Sequence, residues 1–328
     1  MRSPPEDFET DALIMSLAQG WGFDTDSASY APVGGGSYHW VVTDVTGARG
    51  FVTVDDLDQK PWLGDTRDRV FEGLGRSFDT AVALRDSGLG FVVAPILTAS
   101  GETVRRIGQR YAVAFFPFVD GQPGVFGQNE AAERSAILGM LAELHAATPI
   151  VASLALTIDL EIPGRRSLES ALHDVDQTWS GGPFSEGARQ LLALQASHVA
   201  ERLALADRLS AEVGKSSDRW VITHGEPHAG NVMRTPDGHV LIDWDTVALG
   251  PPERDLWMLL DDGAVEIGVY SAATDQQLDQ AALRYFRLRW DLADIAAFTD
   301  LLRSPHHHNE DAARALDNLR GYLASRDQ

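Results

Sequence analysis

The sequence has no cysteine, only two lysines, little positive charge and no apolar run long enough to span a membrane. Each absence excludes something. Without cysteine there are no disulfides, no thiol nucleophile and no sulfur-ligated metal, a usage that suits a reducing cytosol. The opening residues, Met1-Arg-Ser-Pro-Pro-Glu-Asp7, lack the apolar core of a signal peptide. A cytoplasmic location with no membrane partner is therefore expected. Lys and Arg number 27 against 48 Asp and Glu, a formal net charge of −21, which argues against nucleic acid as a partner and attracts a cationic ligand. Most of that charge is expected to form a solvated acidic surface. Lys60 and Lys215 are the only lysines. A chain of 328 residues with 44% hydrophobic content can bury a large core in one or two closely packed domains.

What is present centres on Val221-Ile-Thr-His-Gly-Glu-Pro-His-Ala-Gly-Asn-Val-Met233 and Leu241-Ile-Asp-Trp-Asp245. The runs Trp220–Thr223 and Val240–Ile242 have the size and β-branching of buried strands. Between them lie a polar loop with Glu226 and Asn231 and a Pro236-Asp237-Gly238 turn, and Asp243 follows the second strand. A carboxylate that can take a hydroxyl proton, an Asn five residues on and an Asp after the next strand fit phosphoryl transfer. In that chemistry Glu226 orients the attacking hydroxyl, and Asn231 and Asp243 offer hard oxygen ligands to Mg2+.

Elsewhere, periodicity predicts a helix over Thr10–Gly20, closed by Gly20. Strands around Gly50–Val54, Gly101–Ile107 and Tyr111–Phe116 are expected, with a helix from Asp65 to Ser87 ending at Gly88. Gly34, Gly35 and Gly36 followed by Ser37 can form either a plain turn or a hairpin whose backbone N–H groups approach phosphates. Helices are expected over Glu130–Ala147, Ser167–Thr178, Gly187–Val213, Thr274–Phe286, Arg289–Leu302 and Asn309–Ala324, with Pro251-Pro-Glu253 opening another. His145 falls on an apolar helix face and reads as a hydrogen-bonded core histidine. His306-His-His308 follows a proline with no regular spacing to other ligands and reads as a polar turn. Asp291 and Asp294 are either solvated surface acids or holders of a substrate ammonium.

His224-Gly-Glu-Pro-His-Ala-Gly-Asn231, Leu241-Ile-Asp-Trp-Asp245 and Pro251-Pro-Glu-Arg-Asp255 together resemble the aminoglycoside phosphotransferases, relatives of protein kinases, and most of all their spectinomycin branch. The resemblance implies an α+β, two-lobed kinase-like fold: a small antiparallel-sheet lobe over 1–118 and a larger, mostly helical lobe over 119–328. It implies a transferase using ATP (or GTP) and Mg2+ to phosphorylate a hydroxyl of a small, cationic, aminoglycoside-type natural product. Gly34–Gly36, Ser37, Thr53, Phe116 and Val119 become nucleotide-site candidates, with Phe116–Gly121 as the hinge, and His224 and Asp255 become supports of the catalytic loop. Two positions depart from the family pattern. Glu226 stands where Asp is usual, and Thr53 where a lysine pairs with the nucleotide phosphates. Glu72 falls where that lysine's acidic partner is expected, and Lys60, Arg105 and Arg106 are the cations near enough to substitute. With Lys60 expected at the surface, the site reads as cation-poor and slow. A kinase-fold protein that captures a ligand without transferring phosphate is the alternative.

Overall fold

The computed structural model describes residues 1–5, 7–125, 131–259, 270–274 and 276–324. The chain divides into two compact units, Ser3–Ile158 with Asp218–Leu278, and Asp159–Ser217 with Asp279–Gln328.

The first unit opens with α1 (Thr10–Trp21). It closes two residues later than expected, at Gly22, whose φ of 63° lets its N–H reach Ala18 O and that of Phe23 reach Leu17 O. Gly20 lies inside the helix for a packing reason: a Cβ there would stand 2.4 Å from the Arg105 side chain. A five-stranded antiparallel sheet follows, built from β1 (Thr25–Ala31), β2 (Tyr38–Asp44), β3 (Arg49–Asp56), β4 (Arg105–Ile107) and β5 (Tyr111–Pro117) in the order β1-β2-β3-β5-β4. Strand alternation sorts its side chains by face. Trp40, Val42, Val52, Val54, Val113 and Phe115 pack with Leu13 and Leu17 of α1. Ala112, Ala114 and Phe116 point the other way, under Val70, Leu74 and Phe78 of α2 (Arg67–Asp86). His39, opposite Thr53, shares that second face.

Beyond the sheet come β6 (Gln122–Pro123), α3 (Ala131–Ala146), α4 (Thr148–Val151) and β7 (Leu156–Thr157). Glu130, the expected first residue of the α3 helix, and the end of the linker expected over Asp120–Asn129 lie outside the described residues. After the second unit's first half the chain returns through β8 (Val221–Thr223), β9 (Val232–Thr235), β10 (Gly238–Leu241) and β11 (Ala248–Gly250) to α7 (Glu253–Leu256). β9 and β10 form the hairpin around the Pro236–Gly238 turn, and β8 pairs with β11. Leu241 is clamped by Phe91 and Val93, its N–H on Phe91 O at 2.7 Å and its carbonyl on Val93 N–H at 3.0 Å. That clamp fixes where Asp243 emerges.

The second unit is helical: α5 (Arg165–His173), α6 (Ser185–Val213), α8 (Gln280–Arg303) and α9 (Glu310–Ala324). Two helices are expected over Thr274–Phe286 and Arg289–Leu302, but α8 runs unbroken from its Asp279 cap, since Arg287-Leu288 offers no breaker. Asp275, within the first of those ranges, lies outside the described residues.

Candidate active site

The loop after β8 hangs on one carboxylate. Asp255, fully buried in α7, accepts from the His224 N–H at 2.9 Å and the Gly225 N–H at 2.6 Å. It also accepts from His145 Nε2–H at 3.0 Å, and His145 Nδ1 takes the Tyr270 hydroxyl at 2.5 Å. Burial alone would push the Asp255 carboxyl up, but the His145 hydrogen bond and nearby Arg254 hold it below the usual range. His145 is thus a buried, hydrogen-bonded histidine of α3 standing directly behind the loop. Gly225 is required: its φ is 101°, and a Cβ there would come within 2.3 Å of the Arg254 guanidinium. Asp255→Ala would leave three buried donors unpaired and is expected to cost about 3–5 kcal/mol of stability. Urea unfolding of the purified variant checks this; a loss under about 1 kcal/mol would remove Asp255 as the anchor.

His224 ties the loop to the end of the hairpin. Its Nε2–H donates to Ile242 O at 2.9 Å, its Nδ1 accepts the Glu226 N–H at 3.2 Å, and its ring lies edge-on to Trp244. One donor and one acceptor require the neutral tautomer, and burial pushes the imidazole below its ordinary range accordingly. Asn231 is buried, with its amide N–H on Glu226 O at 3.0 Å, which leaves Oδ1 as its acceptor end. Ile242 N–H donates to Asn231 O at 3.0 Å. Glu226, Asn231 and Asp243 are therefore set against one another by backbone contacts that do not involve the Glu226 and Asp243 side chains. The Glu226 carboxylate is partly open to solvent, 4.0 Å from His228 Nε2. Burial pushes that histidine down to about 4.

Asp243 is the only non-glycine at positive φ (67°) among the described residues. Such a conformation costs on the order of 1–3 kcal/mol and persists where the surroundings impose it. The residue is exposed along part of its surface, but protein surrounds its carboxyl closely. Loss of water, followed by the charges of Asp245, Glu226 and Asp55, raises it well above the usual carboxylate range against the pull of Lys60.

Lys60 is not at the surface. It is 1% exposed, with Nζ 2.5 Å from Asp245 Oδ2, 3.0 Å from Asp55 Oδ1 and 3.2 Å from Ser37 Oγ. Burial opposes its charge, but Asp245, Asp55 and Asp243 outweigh that and keep it an ammonium. The expectation of a cation-poor site is corrected accordingly. The lysine reaches these carboxylates from the turn after β3, where Asp55 lies two residues past Thr53 on the same side of the strand. Glu72 lies on the exposed side of α2 and is not its partner. Arg106 is paired with Asp68 at 2.8 Å, and Arg105 packs at Gly20. Three carboxylates (Asp55, Asp243, Asp245) thus share one ammonium, with Glu226 adding its charge near Asp243, and burial first, then Asp245, pushes Asp55 up despite Lys60.

The remaining nucleotide candidates lie around this cluster. Gly34, at φ 67°, and the exposed Gly35 and Gly36 form the loop between β1 and β2. Ser37 is buried, and its hydroxyl donates to Asp55 Oδ1 at 2.6 Å. Thr53 is buried opposite His39 and Ala114, Phe116 lies along the same face, and Val119 follows β5, partly exposed. In the second unit, Asp291 pairs with the buried Arg202 at 2.5 Å. Asp294 is pushed up to about 6, by burial first, beside the Tyr322 hydroxyl that also receives Trp290 Nε1–H at 3.0 Å. His306 forms a turn: its N–H donates to Gly181 O, and its ring stacks on Phe184. Among the described residues no three His, Asp or Glu side chains form a metal cage of their own. One carboxylate and one amide oxygen remain for a cation that takes its other ligands from phosphates and water, the usual habit of Mg2+, and the excess of carboxylates fits such an ion.

Asp245, Asp55 and Tyr270 escaped the sequence reading. Alternation along β3 from Thr53 was the signal for Asp55; nothing local points to Tyr270.

Residues 40–298 match the model of a phosphotransferase enzyme family, APH. Protein StrN of Streptomyces griseus is 28% identical over 273 residues, 80% of each chain. The fold is similar to that of spectinomycin phosphotransferase APH(9)-Ia, solved with ADP and spectinomycin (TM-score 0.73, 18% identity, 96% of this chain and 95% of that one). It is also similar to amicoumacin kinase hAmiN, solved with AMP-PNP, Ca2+ and Ami (TM-score 0.58, 13% identity, 96% and 93%). The fold is thus α+β and kinase-like.

Proposed function

The chain belongs to the phosphotransferase enzyme family, and on that premise we propose that it transfers the γ-phosphate of ATP to a hydroxyl of a cationic aminoglycoside- or aminocyclitol-type acceptor in the cytoplasm. The observation that carries this reading is the joint anchoring of Glu226, Asn231 and Asp243 through His224, Ile242 and the Glu226 carbonyl. A loop kept only for shape has no need of that arrangement. Glu226 accepts the acceptor's hydroxyl proton as the oxygen attacks. Asn231 Oδ1 and Asp243 hold Mg2+, which when bound neutralises charge on the phosphate oxygens. Lys60 supplies the second positive charge, and the Gly34–Gly36 backbone covers the phosphates. The hinge residues Phe116 and Val119 meet the base. The two-lobe division at 118/119 belongs to the same reading. Net charge and the carboxylate cluster favour a cationic acceptor, and Asp291 and Asp294 remain candidates for its ammonium groups. The buried Lys60 weighs against a capture protein without transfer.

Wild type is expected to gain thermal stability from ATP only with magnesium, and Asp243→Ala to lose the magnesium-dependent part of that shift. ADP release with spectinomycin and other aminocyclitols as acceptors completes the test. An unchanged magnesium effect in Asp243→Ala would remove Asp243 from the metal site. Wild type that releases no ADP with any cationic acceptor would overturn the transferase reading.

A further inference from the structure

His39 has no role so far. It sits on β2 directly opposite Thr53, on the sheet face turned away from α1. Its ring stacks on Phe51, 5.2 Å between centroids and 27° between planes. Nδ1 lies 3.4 Å from the Thr53 hydroxyl, and Nε2 points at the glycine loop, 3.1 Å from where a Cβ of Gly34 would stand. Nε2 has no hydrogen-bond partner among the described residues. The imidazole is therefore aimed, by a stacking ring on one side and a hydroxyl on the other, at the space under the loop.

We infer that His39 is a phosphate-contacting residue of the nucleotide site, donating from Nε2 where Thr53 leaves no cation. The inference rests on the reading that this site takes a nucleotide. Its physical basis is charge. Lys60 is already shared between Asp55 and Asp245, so one ammonium meets both its carboxylates and the incoming polyphosphate. A second donor across the strand from Thr53 meets the α- and β-phosphates that a strand lysine would otherwise hold.

The same geometry gives a pH signature. In the free protein the imidazole is pushed down to about 4, by burial first and then by the Met1 amine and Lys60, with Asp245 opposing and Asp55 farther along β3. Phosphate oxygens at Nε2 favour the imidazolium and raise that value toward the ordinary one of about 6.5. A group whose pKa rises on binding adds affinity below its bound value and loses it as the pH rises through that value. Binding should therefore tighten as the pH falls from 7.5 to 5.5.

The test is calorimetric titration of Mg-ATP into wild type and His39→Gln at both pH values, using the ratio of the two proteins so that the nucleotide's own titration cancels. His39→Gln is expected to bind roughly three- to tenfold more weakly at pH 7.5. Wild type should gain roughly a further tenfold over the variant at pH 5.5. Carbon-detected NMR of histidine-labelled wild type, with the His39 signal assigned by its loss in the variant, should show that ring titrating higher with nucleotide than without. Where the variant folds poorly, the His39 signal is found in wild type by its nucleotide-dependent shift, and a histidine spectrum that nucleotide leaves unchanged overturns the inference. Equal affinities and pH profiles with an unshifted ring overturn the inference alone. Wild type that binds no nucleotide at either pH overturns it together with the reading it rests on.

Discussion

Lys60→Ala is expected to lower turnover by at least about a hundredfold, the roughly 2.7–4 kcal/mol typical of a lost electrostatic contact in the transition state. The side chain is buried against Asp55 and Asp245, so its loss also leaves two buried carboxylates without a counter-ion, and a fall in stability on the order of 3–5 kcal/mol should accompany it. Activity loss alone could then reflect unfolding. The pair Thr53→Lys with Lys60→Ala separates the effects. In that double variant the lysine is returned to β3, two residues from Asp55 on the same face, and turnover should recover at least tenfold over Lys60→Ala. Thr53→Lys alone should weaken nucleotide binding, because two cations would then compete for one cluster of carboxylates. Steady-state kinetics and the unfolding midpoint of all three variants decide the matter. Turnover in Lys60→Ala within about threefold of wild type, in protein that still folds, would show that Lys60 is only a structural ion pair.

Local pattern made much of this fold legible. Leu13 and Leu17 at helical spacing and the β-branched runs flanking the Glu226 loop each follow from side-chain geometry, and the corresponding helix and strands fall within a few residues of expectation. The misreadings have physical causes. Gly20 looked like a helix end because glycine usually stops helices, but here it makes room for Arg105, which comes from a distant strand. The break expected between Phe286 and Arg289 had no residue to enforce it, and α8 runs on. From sequence alone Lys60 reads as a surface residue because lysine is costly to bury unpaired. Its partner Asp245 lies 185 residues along the chain, and no window around residue 60 contains that carboxylate. Tyr270 is hidden for the same reason: it meets His145 across 125 residues. The candidate site was legible where it is built from one continuous stretch, 224–245, and not where it depends on pairing between distant segments.

Glu226→Gln should leave Mg-ATP affinity within about threefold of wild type and lower turnover by at least the roughly hundredfold typical of a lost general base. The two effects separate because of how the loop is held. The Glu226 N–H is fixed by His224 and its carbonyl by Asn231, so the loop is positioned through the backbone of Glu226 and its carboxylate, beside His228, can act on the acceptor. Glutamine keeps the length and removes the charge, and should preserve stability. Glu226→Asp makes the complementary change. It keeps the charge and withdraws the carboxylate by about one bond, roughly 1.5 Å, while Pro227 biases the backbone at 226 toward an extended form in both variants. An intermediate loss of turnover is expected, appearing in kcat, since a group that touches the reacting hydroxyl acts mainly in the transition state. The measurement is kcat and KM for acceptor and nucleotide in both variants, with the unfolding midpoint as a control. Full turnover in Glu226→Gln would leave the carboxylate no part in proton transfer.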